Sequence, residues 1–283
     1  MKIGIVGAGL MGAEIAFIFA RAGQSVLLND RSEEALHSAI ARLDRLYEKG
    51  VGRGFYEAGQ KEAVLGCIET TVDRERFVSC DFITEAVFER EDVKADVFHE
   101  LDEICRSDCI FATNTSTIPI SALATHVREA RRSRFVGTHY FSPVSRMKLV
   151  EIIPAFDTSS ETLDFVKHLC SEAGKTPVEI RDVTGFAVNR LLHIFMIEAV
   201  RLVEEGVATP EQIDTVCRLG LGHPMGPFEL MDATTSSLCL QAQEIMHEAY
   251  GERFRPRPLM KQRVRAGLVG GAGRPGWRSS GSR

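Results

Sequence analysis

Short apolar runs alternate with longer amphipathic stretches from the N-terminus to Ile180. The runs Lys2–Val6, Ser25–Asn29, Asp81–Glu85, Cys109–Thr113, Arg134–Tyr140, Lys148–Ile153 and Pro177–Ile180 have the length and composition of strands. Between the early ones, Ala13–Ala22, Glu33–Gly50 and Asp92–Cys105 carry helical spacing. Gly23 and Gly174 stand where helices should stop. Strands that alternate with helices predict an α/β unit, a doubly wound and mainly parallel sheet covered on both faces.

After Gly185 the pattern changes. FAVNRLLHIFMIEAVRLVEE, residues 186–205, reads as one long helix with apolar residues around most of its circumference. Such a helix is expected to be buried in a helical core or a subunit interface. Thr209, Pro210 and Gln212 supply the N-cap, first position and capping box of the next helix. HPMGPFELMD then leads through a Pro-Gly loop into another helix, and no strand signal follows Ile180. The expected organisation is an α/β domain over 1–184, a smaller all-helical domain over 185–270, and a flexible tail over 271–283. The tail is rich in Gly, Arg and Ser and lacks apolar periodicity, so burial cannot offset its ordering cost.

Composition narrows the class. Hydrophobic residues make up 44% of the 283 residues and charged residues 26%, ordinary values for a globular protein. The net charge of -5 gives no reason to expect nucleic acid or an anionic membrane as partner. Seven cysteines without a C-x-x-C pair argue against a disulfide framework and against a metal site. They fit a reducing compartment, and the expected location is cytoplasmic. Glu14 interrupts the first apolar run and no small-residue cleavage site follows Ala22, so a secretion signal is not expected. No stretch is long and apolar enough for a membrane helix.

Gly7-Ala8-Gly9-Leu10-Met11-Gly12 fits G-x-G-x-x-G, follows a strand and opens a helix. Gly7 suits the tight turn, Gly9 the close approach of a pyrophosphate, and Gly12 the packing of helix on strand. The start of that helix offers unpaired N–H groups to an anion. Asp30 ends the second strand, where a carboxylate accepts the ribose hydroxyls of NAD and repels the 2′-phosphate of NADP. Arg31 beside it is the one feature tolerant of that phosphate. These features predict a Rossmann-type domain with NAD as cofactor, hence redox chemistry.

Oxidation of an alcohol carbon needs a base for the hydroxyl proton, and histidine suits that role near neutral pH. Of eight histidines, His37, His99, His126, His168 and His247 read as surface residues, His223 lies in the Pro-Gly loop, and His193 falls on the apolar helix as a core residue. His139 ends the strand FVGTHYF, at the edge where open parallel sheets bind ligands. Glu151 sits inside apolar LVEIIP and needs a partner if buried. His139 and Glu151 read either as a base held by an acid or as a structural salt bridge.

Across nearly the whole chain the sequence resembles the L-3-hydroxyacyl-CoA dehydrogenases, including the short 3-hydroxybutyryl-CoA dehydrogenases. The resemblance rests on GAGLMG, ITEAVFE (83–89), NTSTIPI (114–120), GTHYFSP (137–143), LVEIIP (149–154), DVTGFAVNRLL (182–192) and HPMGPFELMD (223–232), in the family's order. It implies that His139 is the catalytic histidine and Glu151 the acid that orients it. It implies that Ser116 and Asn189 surround the substrate oxygen, that Asp30 binds the adenosine ribose, and that Glu89, Lys94 and Asn114 line the dinucleotide cleft. The implied reaction is reversible NAD-dependent oxidation of (S)-3-hydroxyacyl-CoA to 3-oxoacyl-CoA. The acyl-CoA is expected between the domains, and the apolar helix predicts a homodimer. Two other readings stay open at this point: a dehydrogenase of a non-CoA 3-hydroxy acid or sugar acid, and a dinucleotide-binding protein with little turnover. Two departures stand out. Ser142 replaces a frequent Asn, and Gly270–Arg278 lacks the lysine and second aromatic of the family's ending. That ending reads either as a genuine variant or as a shifted reading frame.

Overall fold

In the computed structural model, which describes residues 1–278, the chain divides into two compact units between Val183 and Thr184. The boundary lies one residue before the one expected from the helical pattern.

In the first unit, β1 (Lys2–Val6), β2 (Ser25–Asn29), β3 (Ile68–Thr71), β4 (Phe82–Glu85), β5 (Ile110–Thr113), β6 (Phe135–Tyr140), β7 (Leu149–Pro154) and β8 (Thr176–Glu179) form one sheet. Their order is β3-β2-β1-β4-β5-β6-β7-β8. Every neighbouring pair is parallel except β6 and β7, which are antiparallel. Helices α1 (Leu10–Arg21), α2 (Glu33–Gly52), α3 (Lys61–Leu65), α4 (Glu91–Ile104), α5 (Ile120–Leu123), α6 (Glu129–Arg132) and α7 (Ser160–Glu172) accompany it. The strand order reverses between β1 and β4, so a crevice opens at their carboxyl ends.

β1 and β2 are buried nearly end to end because both sheet faces are covered. Phe19 of α1 packs edge-on against Phe82 at 6.2 Å, and Phe17 meets Tyr47 of α2 at the same distance. Burying each such ring contributes roughly 1.5–3 kcal/mol. β3 has no counterpart among the apolar runs. It is an edge strand, IETT, that buries only Ile68 and Thr71, so its hydrophobic signal is too short to read. β8 is the other edge and tolerates Pro177 there.

The second unit contains α8 (Val188–Glu204), α9 (Pro210–Gly220), α10 (Pro227–Thr234), α11 (Ser236–Tyr250) and α12 (Pro258–Arg265). Thr209 and Gln212 form the capping box at α9, with Pro210 in its first turn. α8 turns Met196, Ile197, Ala199 and Val200 to the core of this unit and leaves Leu191 76% and Ile194 39% exposed, so this core covers only one side of it. One expectation is corrected here. The segment after Gly270 is packed as far as Arg278. Asp232 of α10 accepts from the backbone N–H of Trp277 at 2.8 Å and of Arg278 at 3.2 Å. The Trp277 indole donates to Ser236 Oγ at 2.9 Å and lies 4.9 Å from the Phe228 ring. A single large aromatic, with its N–H satisfied, outweighs the glycines around it. Residues 279–283 of the expected flexible tail lie outside the described residues.

No helix among the described residues is long and apolar enough to cross a membrane. All seven cysteines are free thiols.

Candidate active site

The glycine motif closes β1 and forms the first turn of α1, which starts at Leu10 rather than at Ala13. Gly7 has φ +103°, and a Cβ there would stand 2.7 Å from the Ala86 carbonyl oxygen. A Cβ on Gly12 would lie 1.8 Å from the Gly7 carbonyl oxygen. Gly9 differs: nothing lies within 4 Å of its Cβ position, and no side chain caps α1. Its missing side chain leaves the unpaired N–H groups of the helix facing open space. The pyrophosphate of a dinucleotide fits that cradle. Leu10 is exposed and Met11 half-buried against the core.

Asp30 accepts from Ala8 N–H at 2.9 Å through Oδ2 and from Ser32 N–H at 3.2 Å through Oδ1. Each oxygen retains acceptor capacity for a ribose hydroxyl. Arg31 is exposed beside it. Arg42 of α2 donates to the carbonyls of Ala8 at 3.1 Å and Gly9 at 2.9 Å, holding the loop from the far side. Arg42 lay outside the site expected from the sequence, because its partners are backbone atoms that no spacing rule links to α2.

The second cluster follows from strand pairing. In the antiparallel register of β6 and β7, His139 stands directly opposite Glu151. Directly opposed residues on one face have Cβ atoms about 5 Å apart, and here the side chains meet. His139 Nδ1 lies 2.8 Å from Glu151 Oε2, with His139 4% and Glu151 1% exposed. On the other side, His139 Nε2 lies 3.0 Å from Ser116 Oγ. The carboxylate accepts only, so Nδ1 carries the donated proton and Nε2 of the neutral ring presents its lone pair to the hydroxyl. Asn114 Oδ1 accepts from Tyr140 N–H at 2.9 Å and ties the end of β5 to the end of β6.

Ser116 sits on a turn held by Glu89. One oxygen, Oε1, accepts from Ser116 N–H at 2.7 Å, Thr117 N–H at 2.9 Å and Thr115 Oγ1 at 2.6 Å. Burial pushes the Glu89 carboxyl up, but the Lys94 ammonium and these donors outweigh it and hold it below the usual range. Lys94 is 1% exposed and sits behind this wall, not on an open cleft face. Its Nζ pairs with both oxygens of Glu85, at 2.7 and 3.0 Å. Glu85 was also missed, although a carboxylate ending the apolar strand FITE raises the same need for a partner as Glu151. Asn189 lies in the first turn of α8, in the second unit.

Comparison with known proteins shows the family. The 3-hydroxyacyl-CoA dehydrogenase NAD-binding domain family matches residues 2–183, and the C-terminal domain family matches residues 185–279. The second match runs through Gly270–Arg278. A probable 3-hydroxybutyryl-CoA dehydrogenase of Deinococcus radiodurans is 41% identical, covering 95% of this chain and 96% of the other. The 3-hydroxybutyryl-CoA dehydrogenase of Clostridioides difficile is 36% identical, with coverage of 95% and 96%. The solved structure of (S)-3-hydroxybutyryl-CoA dehydrogenase from Ralstonia eutropha is 33% identical, has a TM-score of 0.92 and covers 99% of each chain. With both domain families matched along the chain, and with a cofactor cradle and a polar cluster at the carboxyl edge of one sheet, the protein belongs to the 3-hydroxyacyl-CoA dehydrogenase family.

Proposed function

We propose that the protein oxidises short-chain (S)-3-hydroxyacyl-CoA, such as 3-hydroxybutanoyl-CoA, to 3-oxoacyl-CoA with NAD, reversibly, and that His139 handles the proton. The Ser116–His139–Glu151 relay carries this reading, because it ends on the sheet edge that also holds the glycine loop. Bound NAD supplies the hydride acceptor. His139 Nε2 takes the hydroxyl proton as C3 is oxidised and returns it in the reverse direction. Glu151 keeps Nδ1 protonated and balances the imidazolium. Ser116 Oγ marks where the substrate oxygen binds, and the resemblance assigns Asn189 to the same oxygen.

The thioester has support within the first unit. A cavity of about 320 Å³ is bordered by Leu10 of the glycine motif and by Arg42, Arg45, Lys49, Arg53 and Arg146. These cations suit the phosphates of CoA. The short acyl chain follows the named relatives. The proposed assembly is a homodimer, with Leu191, Ile194, Val216 and Leu219 as exposed apolar residues for its interface. Light scattering that finds only monomer would reject it. Free thiols suit the cytoplasm as its location.

The decisive experiment is initial rates with NADH against 3-oxoacyl-CoAs of increasing chain length and the matching free acids. Highest kcat/KM is expected on the four-carbon thioester. Turnover of free acids at comparable efficiency would remove CoA from the reading.

A further inference from the structure

Glu85 ends β4, is fully buried, and takes no part in the chemistry above. Its Oε1 accepts from Val87 N–H at 2.6 Å and Lys94 Nζ at 2.7 Å. Its Oε2 accepts from Lys94 Nζ at 3.0 Å and Thr113 Oγ1 at 2.7 Å. Two routes lead from this carboxylate to one turn. Along the first, Lys94 Nζ reaches on to Glu89 Oε2 at 3.4 Å, and Glu89 Oε1 holds the N–H groups of Ser116 and Thr117. Along the second, Thr113 Oγ1 accepts from Thr115 N–H at 3.3 Å. Both end on residues 115–117, whose middle member places its hydroxyl 3.0 Å from His139 Nε2.

We propose that Glu85 is a positioning residue for the reaction: it fixes Lys94 and Thr113, and through them the turn that presents Ser116 to His139. The proposal rests on the Ser116–His139 reading of the site. A buried ammonium needs compensation by a nearby anion. Glu85 provides it with both oxygens, which leaves Glu89 free to serve the turn. With Gln at 85, the Lys94 charge leans on Glu89 alone. Glu89 is drawn toward Nζ, its hold on Ser116 and Thr117 weakens, and the Ser116 hydroxyl loses its fixed place.

The test compares Glu85→Gln, His139→Gln and the double variant Glu85→Gln/Lys94→Met. For Glu85→Gln, kcat at saturating NADH and thioester should fall about tenfold, a misplacement effect. KM should change by about twofold at most. The isotope effect with NADH deuterated at the transferred position should rise, because the weakened step is chemical. A merely structural role lowers the fraction of competent enzyme, read by NADH-binding stoichiometry, and leaves the isotope effect unchanged; that result would overturn the proposal. So would native kcat in a folded Glu85→Gln enzyme. The double variant, lacking the stranded ammonium, should regain part of the lost kcat, and no recovery would refute the route through Lys94. Native turnover in His139→Gln would bring down the underlying site reading instead. If Glu85→Gln does not fold, Thr113→Val removes one hydroxyl at nearly constant volume. It should slow kcat in the same direction by a smaller factor, and native kcat there overturns the proposal.

Discussion

His139 and His193 are equally buried, each 4% exposed, yet their surroundings differ in every other respect. His139 has Glu151 on one nitrogen and the Ser116 hydroxyl on the other. His193, on α8 in the second unit, has no hydrogen-bond partner at Nδ1 among the described residues. Burial alone pushes its imidazole down from the ordinary 6.5 to about 4. Desolvation disfavours a charged ring wherever it occurs. A buried histidine becomes a proton carrier only where a carboxylate can balance the imidazolium. The difference extends to the units that hold them. In the first unit, buried and half-buried polar groups are wired to one another: Glu85 to Lys94, half-buried Glu89 to the 115–117 turn, His139 to Glu151. In the second, such groups serve packing and caps, as when buried Asp214 accepts from Phe228 N–H at 2.8 Å and half-buried Asp232 seats Trp277.

The sharpest way to break the comparison is to remove both rings. His139→Gln should lower kcat by about 10²–10⁴ with NADH affinity nearly unchanged. His193→Gln should leave kcat close to native. Equal losses in steady-state assays would erase the distinction. Next in size is the packing of the second unit. Trp277→Ala empties a site lined by Phe228 and capped by the Arg263 guanidinium at 4.4 Å from the ring centroid. Denaturant titration should show a loss of about 3–5 kcal/mol. A midpoint equal to wild type would mean that the segment does not pack.

Acid sensitivity sharpens the contrast further. The unfolded chain protonates His193 near 6.5, while the folded chain resists until about 4. The unfolded state therefore binds more protons in that window, and stability falls as pH drops from 6.5 to 4. The loss amounts to about 3 kcal/mol from this group. Tm measured against pH should have a shallower acid limb in His193→Gln, and parallel limbs would contradict the assignment. The smallest expected effect concerns cofactor choice. Asp30→Ala should weaken NADH binding by about tenfold, the scale of one charge-assisted hydrogen bond, and narrow its margin over NADPH. Better efficiency with NADPH in the wild-type enzyme would refute the role of Asp30.

The amino-acid sequence by itself determined what is local and periodic. Strand and helix alternation, the glycine turn after β1, Asp30 at the end of β2 and the capping box at Thr209 are each set by neighbours a few residues apart. Hydrophobic spacing and backbone sterics express them directly. Glu151 was legible as a carboxylate in want of a partner, and the partner was legible because one more strand could face it. The tertiary structure alone decided the register that sets His139 opposite Glu151. It also decided the pairing of Glu85 with Lys94, the hold of Arg42 on the loop and the seat of Trp277 on Asp232. Each of these joins residues brought together only after the sheet or a helical core has formed. Their energies depend on burial and direction, and neither quantity exists along an unfolded chain. The exposed side of α8 shows the same limit from the other direction. Apolar letters reveal that a surface seeks cover, and only packing shows which of them the chain's own core receives.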